Sequence, residues 1–327
     1  MTGRGPTSHD VARAAGVSQS AVSRAFTPGA SVSPEMRARI EKVAAMLGYR
    51  PSRLPGIMRR GKSGIVAVVV GGFYNPFHTM TLESFTRALT SAGRQVMLVQ
   101  VESDRDLDEA VGDLVALNID GVVSALSISS SEVAAVLDRH RLPIVTLNSA
   151  IESEWVRAVN SDNKETGRQA ARTLHASGSQ EFASVMGPID TLSHSARPEG
   201  FTEVLRRLGI VKVEALHGGY DYGWGREAGS LLLAQPRRPD GVFCGNDLIA
   251  AGIIDLWAEH GLHAPDDFRI IGCDNTPFAA WPAYDLTSFD QRSDDMASFA
   301  IDALCRTDAA PLKRMIVPTA LVRRSSC

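Results

Sequence analysis

Thr7-Ser8-His9-Asp10-Val11-Ala12-Arg13-Ala14-Ala15-Gly16-Val17-Ser18-Gln19-Ser20-Ala21-Val22-Ser23-Arg24-Ala25-Phe26 holds most of what this chain discloses about itself. Thr7 can cap a helix carrying Val11, Ala12, Ala14 and Ala15, and Asp10 sits favourably at the positive end of that helix. Gly16 must stop it, because a residue without a Cβ turns the chain there at little cost. Ser18 then caps a second short helix, 19–26, whose Val22 faces inward while Gln19, Ser20 and Arg24 stay polar. Two short helices joined through Ala15-Gly16-Val17-Ser18 form a helix-turn-helix, with the second helix free to enter a major groove.

Working outward, Ser33-Pro34-Glu35 opens a third helix, with Ser33 as cap and Pro34 at the first helical position. Its Ile40, Val43, Ala44 and Leu47 recur at helical spacing, and Gly48 ends it. Residues 1–62 hold 11 Lys/Arg against 3 Asp/Glu, a net +8; residues 63–327 hold 23 against 34, a net -11. A small basic head on a larger acidic body suits a phosphate-binding module fused to a soluble body.

Asp10-Val11-Ala12, Ala15-Gly16-Val17-Ser18 and Ala21-Val22-Ser23-Arg24, with Val32-Ser33 and Leu47-Gly48-Tyr49-Arg50-Pro51, resemble the head of the LacI/GalR family of repressors. The resemblance implies that Gln19, Ser20 and Arg24 read bases. The chemistry agrees, since Arg forks onto guanine and Gln pairs with adenine. Ser18, Ser23 and the backbone at the helix start suit phosphate contacts. For Gln19 and Ser20 a plain solvated role stands beside base contact. The family pattern also makes 51–62 a hinge that folds into a helix on DNA and wedges an apolar side chain into the minor groove, here Met58. Pro55-Gly56 departs from that pattern, because glycine and proline disfavour a helix interior. The hinge is therefore expected to be hard to order without DNA, and a linker that never becomes helical stands as the alternative.

From Ser63 onward, β-branched runs at 65–70, 95–100, 121–126 and 143–148 alternate with helical periodicity at 79–91, 107–117 and 131–140. Strand-like runs recur at 182–187, 213–216, 241–244 and 270–272. Two successive α/β sets predict two doubly wound lobes behind an all-α helix-turn-helix head, with ligand at strand C-terminal ends in the cleft between them. This body resembles periplasmic sugar-binding proteins. The family resemblance implies three crossings between lobes, near 160–163, 288–292 and 317–320. The expected organisation is a head over 1–50, a hinge over 51–62, lobe 1 over about 63–161 and 292–318, and lobe 2 over about 162–291 and 319–327.

By that resemblance Arg197-Pro198-Glu199-Gly200-Phe201 carries the arginine that grips effector. Gly245-Asn246-Asp247 and Gly272-Cys273-Asp274-Asn275 match ligand loops, and Trp224 stands where the family keeps a stacking aromatic. In the first lobe Phe73 follows the first strand, Asn148 ends the fourth, and Asp162 adjoins a crossing. These residues are placed at strand ends. Alternatives stay open: Asn246 and Asp247 as helix caps, Asp162 as a cap, Trp224 as core. An arginine fork, a carboxylate, an amide and a flat ring suit a carbohydrate first and a purine second; a protein co-regulator is a further alternative.

The remaining features exclude rather than assign. Cys244, Cys273, Cys305 and Cys327 include no C-x-x-C pair, so free thiols are expected and neither a metal nor a cofactor. No G-x-G-x-x-G after a strand, phosphate loop, nucleophile elbow or H-E-x-x-H is present, which argues against an enzyme. The polar stretch 1–10 and the lack of a ~20-residue apolar run predict a cytoplasmic protein with no membrane contact. The expected partners are a palindromic operator, read by a homodimer, and a small effector, probed through repression relieved by ligand.

Overall fold

The computed structural model describes residues 5–27, 29–50, 62–71, 74–101, 104–126, 131–147, 149, 151, 153–188, 192–305 and 315–327. The chain divides into two units, Met1–Ser63 and Gly64–Cys327.

In the first unit, α1 (Ser8–Ala15), α2 (Gln19–Ala25) and α3 (Pro34–Leu47) surround Val11, Val22 and Ile40, all fully buried. The ends follow local chemistry. Asp10 Oδ2 accepts from the Thr7 backbone N–H at 2.9 Å, Ser18 Oγ from Ala21 N–H at 3.2 Å, and Ser33 Oγ from Met36 N–H at 3.3 Å. Gly16 (φ 65°) and Gly48 (φ 68°) close α1 and α3 in the left-handed region, where a side chain is strained. Arg37 on α3 donates to the carbonyls of Ala25 and Ala30, satisfying acceptors at and just past the end of α2. The hinge, with Met58 and Pro55-Gly56, lies outside the described residues.

The second unit contains two six-stranded sheets. Lobe 1 uses β1 (Ile65–Val70), β2 (Gln95–Gln100), β3 (Gly121–Ser124), β4 (Ile144–Leu147), β5 (Val156–Ser161) and β11 (Met315–Val317) in the order β11-β5-β4-β3-β1-β2, all parallel. Its helices are α4 (Pro76–Ser91), α5 (Asp104–Ala116), α6 (Ser131–His140) and α11 (Ser293–Cys305). Phe85 and Leu89 of α4 and Met296, Ala297 and Ala300 of α11 cover one face of the sheet; Ala134 and Leu137 of α6, with Val111 and Leu114 of α5, cover the other. A parallel sheet covered on both faces explains the continuous apolar run Ile65–Val70.

Lobe 2 uses β6 (Phe182–Met186), β7 (Val213–His217), β8 (Gly241–Cys244), β9 (Arg269–Cys273), β10 (Thr287–Asp290) and β12 (Ala320–Val322) in the order β12-β10-β9-β8-β6-β7. Only β12 runs antiparallel among these pairs, against β10. Ala170 and Leu174 of α7 (Asn163–Ala176) and Phe201 and Leu205 of α8 (Leu192–Arg207) fill one face. Ala228 and Leu232 of α9 (Tyr222–Leu233) and Ile249, Ile253 and Trp257 of α10 (Asp247–Glu259) fill the other. The chain passes between lobes after β5, after β10 and between β11 and β12.

Both helix pairs of lobe 2 cross at glycines. A Cβ on Gly167 of α7 would stand 1.9 Å from the Arg197 carbonyl oxygen, and one on Gly200 of α8 2.0 Å from that of Lys164. On the other face Gly225 meets the Ile249 carbonyl at 2.3 Å and Gly252 that of Tyr222 at 2.4 Å by the same measure. Backbone therefore packs on backbone at both crossings.

Several boundaries differ from the sequence expectation. Helix α4 starts at Pro76 rather than at 79, because Asn75 Oδ1 accepts from Phe77 N–H at 3.0 Å and so caps an earlier turn. Strand β3 ends at Ser124, whose hydroxyl turns back to bond Leu126. Strands β5, β10, β11 and β12 replace what the sequence marked only as crossings.

Candidate effector site and nucleic-acid interface

In the head, Ala21, Val22 and Ala25 of α2 are buried, so helical geometry turns Gln19, Ser20, Ser23 and Arg24 outward. All four are exposed, as is the cap Ser18. Ser18 and Ser20 hydroxyls lie 2.9 Å apart, and Gln19 Nε2 donates to Ser8 Oγ at 3.3 Å. These surface contacts exchange readily with water, leaving one polar face that presents a guanidinium, an amide and hydroxyls on a single seven-residue helix.

In lobe 2, Arg197, Asn246 and Asp274 are 3%, 2% and 5% exposed, although each is polar or charged. Arg197 does not sit at a strand end as expected. It lies within α8, which runs on through Pro198, and the α7–α8 crossing carries it inward. Its Nε donates to Asn163 Oδ1 at 2.8 Å and its Nη1 to the Gly245 carbonyl at 2.7 Å. Gly245 follows β8 and Asp274 follows β9, so the guanidinium reaches the strand ends from a neighbouring helix. Asp274 takes φ 110°, a region that disfavours side chains and collects at sites where surrounding structure enforces it.

Asn246 caps α10: its Oδ1 accepts from Ile249 N–H at 2.9 Å, and its Nδ2 donates to the Tyr220 carbonyl at 3.1 Å. Asp162 likewise caps α7 through Glu165 N–H at 3.1 Å. Asp247 is wholly buried and accepts from Thr276 N–H at 2.7 Å, Thr276 Oγ1 at 2.8 Å and Ser288 Oγ at 2.5 Å, tying the loops after β8 and β9 to β10. Trp224 is half-buried, and its ring N–H donates to the Met186 carbonyl at 3.0 Å. A Cβ on Gly218 would meet that ring at 2.3 Å, so glycine after β7 makes the room for it. Across from lobe 2, burial and the negative charge of Asp221 raise the pKa of the Tyr74 phenol, which places lobe 1 Tyr74 within electrostatic reach of lobe 2. Phe73 and Asn148 lie outside the described residues.

Burial dominates the electrostatics of the two lobe 2 carboxylates. Desolvation, with the charge of Asp247 beside it, pushes Asp274 up to about 8, against the opposing pull of Arg197 and of the Gln291 hydrogen bond. Asp247 is pushed up to about 6 by burial, held from rising further by its bonds to Ser288 and Thr276 and by Arg324. At neutral pH Asp274 is thus mostly a carboxylic acid, able to donate as well as accept. Asn163, Gln291, Thr276 and Ser288 all bond this cluster but were not singled out as site residues, since their partners stand far away in sequence.

Comparison with known proteins then places the chain. The family "Bacterial regulatory proteins, lacI family" matches residues 7–52, and "Periplasmic binding protein-like domain" matches 171–327. The ribose operon repressor of Escherichia coli (strain K12) is 26% identical over 327 residues, covering 98% of this chain and 99% of its own length. A solved transcriptional regulator CelR–cellobiose complex is 27% identical with a TM-score of 0.73, over 98% of this chain and 100% of that one. The lac repressor dimer bound to operator shares the fold, with a TM-score of 0.88 at 22% identity, over 99% of each chain. With a matching head, a matching body and full-length relatives, the chain belongs to the LacI family of DNA-binding transcriptional regulators.

Proposed function

We propose that this protein is a homodimeric repressor that reads a palindromic operator through α2 and is controlled by a carbohydrate held in the cleft between its lobes. The observation that carries the effector half is the pair Arg197 and Asp274, a guanidinium and a carboxyl kept almost wholly out of water at the ends of neighbouring strands. Burying such groups is costly unless hydrogen bonds compensate, and a hydroxylated ligand supplies donors and acceptors to both. Trp224 adds a flat apolar wall of the kind that covers one face of a sugar ring. Asn246 serves as a cap whose amide edge borders the same loops, while Phe73 and Asn148 remain the lobe 1 candidates from sequence. The relatives named for the ribose operon and for a cellobiose complex favour the same chemistry.

Domain limits follow the same reading: a head over 1–50, a hinge over 51–62 with Met58 as its minor-groove wedge, and the two lobes with their three crossings. Gln19, Ser20 and Arg24 contact bases, and Ser18 and Ser23 phosphates. Effector in the cleft favours one arrangement of the lobes, and the coupling is reciprocal: if it weakens operator binding, operator weakens its binding by the same factor.

Thermal melting of the purified chain against D-ribose, cellobiose, sugar phosphates and purines tests the effector. Saturation at about 100 times Kd contributes about 2.7 kcal/mol, a rise of roughly 5–10 °C. The shift should vanish in Arg197→Ala and in Asp274→Ala. A rise with purines and none with sugars would overturn the carbohydrate assignment. The DNA half is tested by Arg24→Ala, expected to cost ~1–3 kcal/mol at one base pair and to relax discrimination there. Equal losses on matched and mismatched operators would make Arg24 a phosphate contact instead.

A further inference from the structure

Three buried polar side chains form a line from lobe 2 into lobe 1. Gln291 Nε2 donates to Asp274 Oδ1 at 2.5 Å, and the Ser161 hydroxyl donates to Gln291 Oε1 at 2.8 Å. Asp274 follows β9 of lobe 2, Ser161 is the last residue of β5 in lobe 1, and Gln291 lies on the segment leaving β10 for α11. Their exposures are 5%, 4% and 4%. Water therefore competes poorly for any of these bonds.

The line has a direction. The Gln291 NH2 faces Asp274, and the amide carbonyl faces the Ser161 hydroxyl. Turning the amide over would leave its oxygen facing a carboxyl that could bond it only when protonated, and its NH2 facing the Ser161 hydroxyl, which can accept. The Ser161 hydroxyl has a second acceptor within reach, Met296 Sδ of α11 at 3.7 Å, and a thioether is the weaker of the two. Ser161 thus has two discrete arrangements, one bonded toward lobe 2 and one turned toward the helix of its own lobe.

The backbone holds both ends of the Asp274–Gln291 contact in place. Asp274 has φ 110°, and Arg292, next to Gln291, has φ 57°. Asp290 fastens both loops: its Oδ1 accepts from Arg292 N–H at 2.6 Å and its Oδ2 from Asn275 Nδ2 at 3.1 Å. The ionisable groups acting on Asp274 are Arg197 of α8, Asp247 of α10 and Asp290 of β10. The amide of Gln291 is the link among these contacts that leaves the lobe.

The geometry points to Gln291 as a positioning relay: it ties the carboxyl of Asp274 to Ser161 across the crossing between lobes, so that a ligand hydroxyl engaging Asp274 draws Gln291 off Ser161 and lets the lobes re-angle. The ligand part rests on the cleft reading proposed above, whereas the tie between lobes is testable with no ligand at all.

The test is a double-mutant cycle in melting temperature on the full chain, combining Ser161→Ala with Asp274→Ala, first with Gln291 present and then in Gln291→Leu. The two positions share Gln291 as a partner, so their effects should be non-additive by about 2–4 °C with Gln291 present and additive without it. Ser161→Thr, which keeps the hydroxyl, should combine additively with Asp274→Ala. Should Asp274→Ala fail to fold, amide hydrogen exchange over residues 159–162 is read in Gln291→Leu. It should quicken relative to the unsubstituted chain, and not when Ser161→Ala is already present. Additive effects with Gln291 present, or unchanged exchange, would overturn the relay. Because the cycle contains no ligand, failure of D-ribose and cellobiose to raise the melting temperature would remove the carbohydrate reading alone, and non-additivity would still support the tie.

Discussion

Gly167→Ala should lower the melting temperature by roughly 6–12 °C, corresponding to ~3 kcal/mol in a body of this size, and should take effector binding with it. The added Cβ would lie 1.9 Å from the Arg197 carbonyl oxygen and 2.9 Å from both the Arg197 carbonyl carbon and the Phe201 nitrogen. Those are backbone atoms of α8, so no side chain can rotate away. The helices must separate, and separation draws Phe201 from its cluster with Phe182 and Phe243, whose ring centroids lie 6.4 Å and 5.4 Å away. It also pulls Arg197 from Asn163, which sits one turn before Gly167 on α7. Gly112→Ala is the control: a Cβ there meets nothing within 4 Å, and Ala stabilises a helix by about 0.4–1 kcal/mol relative to Gly. Circular dichroism melting of both variants, with ligand titration, gives the answer. An unchanged melting temperature in Gly167→Ala would show that the α7–α8 crossing has slack, and that Arg197 is not placed by it.

That crossing shows where sequence reading stops. The head was legible almost to the residue because its signals are local: Thr7, Ser18 and Ser33 cap within three residues, and Gly16 and Gly48 terminate at their own positions. The buried strands of both lobes were legible because parallel sheets leave unbroken apolar runs such as Ile65–Val70 and Gly241–Cys244. Strand β5 was not, since Arg157, Asn160 and Ser161 break its apolar pattern, and its pairing with β4 and β11 is a long-range fact. Arg197, expected at a strand end, lies within a helix instead, because Pro198 reads as a helix breaker and α8 nevertheless passes through it. Gly167, Gly225 and Gly252 carry no signal in sequence, where a helical glycine reads as a weak position rather than a close approach. Gln291, Asn163 and Ser161 are ordinary polar letters until the fold brings partners 17, 34 and 130 residues away within hydrogen-bond distance.

The ligand-free protein should lose stability as pH rises from about 6.5 to 8.5. Asp274 holds its proton up to about 8 when folded, because burial beside Asp247 penalises its charge, and it gives that proton up near the ordinary value of 3.8 when unfolded. Between those values the folded state binds the extra proton, so the stability this contributes is complete at low pH and is lost as pH climbs through 8. One proton difference is worth about 1.4 kcal/mol per pH unit, which gives a loss near 2 kcal/mol over this window, or roughly 4–8 °C. Asp247, pushed up to about 6, has mostly ionised by the window's start; the thiols of Cys244, Cys273 and Cys327, raised by burial above their ordinary 9.0, add a smaller loss of the same sign toward its end, which Asp274→Asn retains. His78, lowered by burial, is neutral in both states over most of the range. Asp274→Asn keeps the shape and an oxygen for Gln291 but has no proton to lose, so its melting temperature should stay nearly flat and overtake the unsubstituted chain toward pH 8.5. Parallel curves for the two proteins would mean that Asp274 is already ionised at neutral pH, with Arg197 outweighing burial. A ligand hydroxyl would then meet an obligate acceptor there, rather than an acid that can donate to a ring or glycosidic oxygen.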